Sequence, residues 1–155
     1  YKAKDIWRVV KYLKHWRAKM VSQNPTAELG SFLFFSQKKL KLKRRRYQFC
    51  FKRDQLETVS GEGVGLFGLH FDVRKDDGWT VTHLPTHRSV VKPFTEREQA
   101  ETFLSAIIGL EGWDTEDSKE LARFESLCSN LRYFIVGNSL VPSAIELVMD
   151  KLRKG

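Results

Sequence analysis

Along the first twenty positions apolar residues recur every three or four: Ile6, Val9, Val10, Leu13, Trp16 and Met20. That spacing lines one face of an α-helix, so residues 4–21 are predicted helical, and Asn24, Pro25 and Gly30 stop the helix by about residue 23. "FLFF" at 32–35 is a short apolar run between turn-formers, which reads as a buried strand or a hydrophobic plug. From residue 40 the period changes to two. Leu40 and Leu42 take even positions, whereas Tyr47, Phe49 and Phe51 take odd ones. Successive strand residues face opposite sides, so a regular strand would send Leu42 and Phe49 to opposite faces. The parity switch therefore predicts a kink or hairpin tip at "KRRR", residues 43–46, with the cations projecting.

Alternation resumes at Phe67, Leu69, Phe71 and Val73. Strands are predicted at 66–74, 79–84 and 88–92, joined by a turn at Asp76, Asp77 and Gly78 and by a second turn containing Pro85. Thr95 with Glu98 reads as a capping box, opening a helix with Ala100, Phe103, Leu104, Ile107 and Ile108 on one face. Gly109 and Gly112 close it. Thr115 is the expected cap of a next helix carrying Leu121, Phe124, Leu127 and Leu131; "YFIV" at 133–136 reads as a short strand, and Ser143 with Glu146 opens a C-terminal helix. The fold class is α+β in one domain, 1–155. It comprises a basic amphipathic helix at 1–23, a mainly antiparallel sheet of four to five strands within 32–92, and helices from 95–155 packed on one face.

Charge changes this picture. Formal net charge is +8, yet residues 1–53 hold 16 Lys/Arg against 2 Asp/Glu, and the remainder is net negative. The stretch "KKLKLKRRRYQFCFKR", 38–53, contains nine cations and no acid. A basic first third points to a polyanion, and nucleic acid gripped by its phosphate backbone is the leading expectation. Lys38, Lys39, Lys41, Lys43, Arg44, Arg45, Arg46, Lys52 and Arg53 are the expected contacts, supported from the first helix by Arg8, Lys11, Lys14 and Arg17. Tyr47 and Phe49 are expected to offer ring faces to unstacked bases. Three other readings compete. An assembly protein docks the basic helix and "FLFF" on an acidic partner, Trp7 off the apolar face suiting the helix to a partner's groove or an anionic membrane; the basic strand is an edge protected from aggregation; or the acidic helices neutralise the basic third internally.

The remaining chemistry is sparse. Gly63, Gly65 and Gly68 have dinucleotide-fingerprint spacing but lead into strand alternation and not a helix, so they are read as a loop with a close strand crossing. His83 and His87, with His70 and Asp72, form a candidate metal set for a metal-dependent nuclease, the third-ranked function. No catalytic triad, P-loop or zinc-finger spacing appears, and neither catalysis nor a cofactor is expected. The order β-β-β-α over 66–108, with "GW" and "FTEREQA", resembles small DNA-binding modules such as the plant AP2 domain and integrase arm-binding domains. That resemblance implies a groove-facing set of His70, Arg74, Thr80, Thr82, Arg88 and Lys92. Cys50 and Cys128, without CxxC spacing, suggest small core residues in a reducing compartment. No apolar run approaches transmembrane length and the basic start lacks a signal-peptide core, so the cytoplasm or nucleus is expected.

Overall fold

A computed structural model describes residues 29, 32–33, 38–53 and 55–137. It contains five strands, β1 (Lys43–Lys52), β2 (Gln55–Val64), β3 (Phe67–Phe71), β4 (Trp79–His83) and β5 (Arg88–Ser89). They are followed by helix α1 (Arg97–Ile107), a 3₁₀ turn at Ser118–Leu121 and helix α2 (Ala122–Gly137). The sheet runs β1-β2-β3-β4-β5, every neighbour antiparallel, so the architecture is α+β. No helix among the described residues is long and apolar enough to cross a membrane.

The sheet has two buried sides. On one, Phe67, Leu69, Val81 and Phe94 meet Ala100, Phe103, Leu104 and Ile107 of α1 and Leu131 and Ile135 of α2, forming the main core. The apolar face expected for α1 is the one that packs. Leu40 and Leu42, just before β1, join the same core, and the Lys38 N–H donates to the Ser105 carbonyl at 3.1 Å. On the other side the sheet curls. The Cys50 N–H donates to the His87 carbonyl at 2.7 Å, joining β1 to the turn between β4 and β5 as well as to β2. This curl lays Tyr47 and Phe49 over Gly68 and His70, making a second, smaller core.

The two cores explain the parity switch. Leu42 and Phe49 do point to opposite faces, but both faces are covered, so no kink is required. "KRRR" lies in regular β1, paired with Ser60 to Gly63, and the only register shift falls at the other end of the strand, between Cys50 and Lys52.

Several local expectations are corrected. Phe32 and Leu33 are buried but helical, not strand; Phe34 and Phe35 lie outside the described residues, as do the predicted helices at 4–21 and beyond Ser143. The Thr95–Glu98 capping box does not form. Glu96 is the N-cap, without a side-chain bond, and the Thr95 hydroxyl instead donates to the Asp77 carboxylate in the β3–β4 turn. The cap before α2 is Asp117, whose carboxylate accepts from the Lys119 N–H at 2.9 Å, while Thr115 accepts from the Asp117 N–H. "YFIV" continues α2, because Leu131, Phe134 and Ile135 extend the helical stripe begun by Phe124 and Cys128. Cys128 is buried, its thiol pushed up to about 12 by burial, and Cys50 is half-buried with its thiol donating to the Arg53 carbonyl.

Candidate nucleic-acid interface

Alternation along β1 sorts its side chains. Tyr47 and Phe49 face into the curl; Arg44, Arg46 and Gln48 face out and are exposed. Across the ladder Arg46 stands opposite Ser60 and Gln48 opposite Thr58, both exposed. Two paired strands thus present an open polar face of two guanidiniums, an amide and two hydroxyls. Lys43 and Arg45 lie on the inner side near its rim, where the Arg45 stem covers Gly63. Lys38, Lys39 and Lys41 precede the strand, and Lys52 and Arg53 close its far end, Arg53 with φ 50° in the hairpin turn.

All nine cations of 38–53 are exposed. None of Lys39, Lys41, Lys43, Arg44, Arg45, Arg46, Lys52 and Arg53 pairs with an acid among the described residues. The acids are matched elsewhere. Arg74 holds Glu57 at 2.8 Å and Asp72 at 2.9 Å, Arg97 holds Glu62 and Glu101, and Arg132 reaches Asp77 at 3.7 Å. These eight cations are therefore not neutralised by the described acids of the later helices. Arg8, Lys11, Lys14 and Arg17 lie outside those residues.

Tyr47 is buried and not available for stacking. Its hydroxyl and His70 Nδ1 are 2.7 Å apart, its ring covers Gly68, and burial pushes the phenol well above its usual range. Phe49 packs edge-on against His70, and Arg74 sits 3.4 Å above the Phe51 ring centre. No sequence signal separated these rings from an exposed platform, because alternation names a face without saying what covers it.

The groove-facing set implied by the AP2-like element order does not form one exposed face, although Arg88 and Lys92 are exposed. His70, Thr80 and Thr82 are buried beneath β1, and Arg74 is tied to Asp72 and Glu57. The histidines do not converge. His70 faces the curl, whereas His83 faces the main core, where its Nε2–H donates to the Trp113 carbonyl at 2.5 Å and Nδ1 lies 2.9 Å from the Thr86 hydroxyl. Burial lowers the affinity of both rings for a proton. Asp72 is held below the usual carboxylate range, chiefly by the Arg74 guanidinium. Among the described residues no group of three or more His, Cys, Asp or Glu is placed to hold a metal. Burying a polar atom without a partner is costly, and His70 Nε2 is such an atom inside the curl.

No protein-family model matches the chain, and no curated protein or solved structure is similar to it. The functional reading therefore rests on the geometry above.

Proposed function

We propose that this protein binds nucleic acid without catalysis, gripping the phosphate backbone through the basic run 38–53. The observation that carries the reading is the exposure of all nine cations with eight of them unmatched by any described acid. Like charges gathered on one strand repel, and the acids of β2 that face β1 across the ladder, Glu57 and Glu62, are already engaged by Arg74 and Arg97. A polyanion relieves that repulsion. Arginine and lysine contacts to phosphate supply position and affinity but little sequence preference. Arg8, Lys11, Lys14 and Arg17 join the contact set on the strength of the sequence alone; Tyr47 leaves it.

The test is a titration of labelled DNA and RNA over a salt series, with wild type and the variant Arg44→Gln, Arg45→Gln, Arg46→Gln. Each lost phosphate contact lowers the slope of log K against log salt by about 0.7 to 0.9, so the expected loss is about 1.4 to 1.8 for a pair of contacts and about 2.1 to 2.7 for all three. The thermal midpoint is expected to hold or rise slightly, since exposed charges contribute little to stability and removing like charges relieves repulsion. Salt-independent or absent binding of every nucleic acid, alongside binding of an acidic protein, would replace this reading with that of an assembly subunit.

A further inference from the structure

We infer that the nucleic acid is double-stranded and that the outer face of the β1–β2 ribbon lies along its backbone. This rests on the nucleic-acid reading above and names its substrate class. Proteins that hold single strands combine a basic track with exposed aromatic rings on which the bases stack. Among the described residues the basic run 38–53 has no free ring, and the exposed rings Phe71 and Tyr133 lie outside it. Tyr47 and Phe49 are sealed inside the curl, and the Phe51 ring carries the Arg74 guanidinium 3.4 Å from its centre. A single strand laid along β1 gains phosphate contacts but no stacking from the rings of that strand.

A duplex keeps its bases stacked on one another and asks only for donors to phosphate, and the outer face is made of such donors. Arg44, Arg46, Gln48, Thr58 and Ser60 are all exposed and all belong to the side-chain types that bind phosphate oxygens. Arg44 and Arg46 are two residues apart on one face, about 6.8 Å at strand rise, close to two base-pair steps of about 3.4 Å. Glu62, opposite Arg44, is the nearest acid on this face, and Arg97 engages it from α1. A two-stranded ribbon is also a shape that the major groove of a duplex admits.

The alternation supplies the test. A 20-bp duplex and an oligo(dT) of equal length in nucleotides are titrated over a salt series with wild type, Arg44→Gln/Arg46→Gln and Arg45→Gln. The expected result is tighter binding of the duplex, a duplex slope lower by about 1.8 for the outer-face pair, and a smaller loss per residue for Arg45→Gln, whose side chain lies on the inner side. Oligo(dT) bound more tightly than the duplex, or Arg45→Gln lowering the slope as much per residue as the pair, overturns this inference while leaving nucleic-acid binding intact. Loss of salt-dependent binding to both oligonucleotides in wild type overturns the parent reading as well.

Discussion

Gly68 lets Tyr47 close the curl. A methyl group placed there would stand 2.5 to 3.0 Å from atoms of the Tyr47 ring, closer than carbon atoms approach, so the ring must shift off β3. Gly68→Ala is expected to cost about 1 to 3 kcal/mol in denaturant unfolding, as overpacking does. Tyr47→Phe keeps the ring and removes the hydroxyl, leaving the buried His70 Nδ1 without its partner; a loss of about 1 to 3 kcal/mol is expected. An unchanged midpoint in both variants would mean that β1 does not pack on β3 in solution. Protonation acts at the same place. Burial depresses the pKa of His70 and of His83 below the ordinary 6.5, so the unfolded chain takes up protons that the folded chain refuses. Their contribution is intact above about pH 6.5 and declines as pH falls through that value toward the depressed folded ones. Thermal midpoints at pH 7.5 and 5.5 should fall in that order; a rise on acidification contradicts the burial of both rings.

Among elements, α2 is tied to the strand region through Arg132. Its guanidinium donates to the Lys92 carbonyl at 2.8 Å and to the Pro93 carbonyl at 2.6 and 3.1 Å, fixing the segment that leads from β5 to α1. Lysine carries the charge but not the planar fork, so Arg132→Lys is expected to destabilise by about 1 to 3 kcal/mol without touching the salt slope of nucleic-acid binding. A changed slope would relocate part of the interface to this side of the molecule. The β1–β2 hairpin is the complementary case. Its outer-face cations are exposed and pair with no described acid, so neutralising them is expected to alter binding and leave the midpoint level or slightly raised.

For the whole molecule the decisive quantity is charge separation. The first third carries a large excess of cations and the rest is net negative, while β1 collects exposed cations that no described acid neutralises. Salt screens repulsion between exposed charges within a Debye length of about 10 Å at 0.1 M. The ligand-free protein is therefore expected to unfold at a higher temperature in 300 mM than in 30 mM NaCl. Added polyanion should raise the midpoint at low salt by mass action, and lose that effect at high salt. A midpoint that falls with salt would show that attractive pairs outweigh the repulsion along β1.

Local periodicity was enough to find α1 and the strands near 67–71 and 79–83, because an element that buries one face writes its period into the apolar positions. It also identified the basic run and the exposure of its cations, since charges are almost never buried unpaired. The burial of Tyr47, His70, Thr80 and Thr82 had no such signature. Whether a strand face meets solvent or another strand depends on how the sheet coils, and that is set by contacts between residues far apart in sequence, Cys50 with His87 and Tyr47 with Gly68 and His70. The same long-range closure turned an apparent kink at "KRRR" into a regular strand with cations on both edges of its pleat. It also carried the Thr95 hydroxyl away from its own helix to Asp77, an acceptor that local spacing does not reveal.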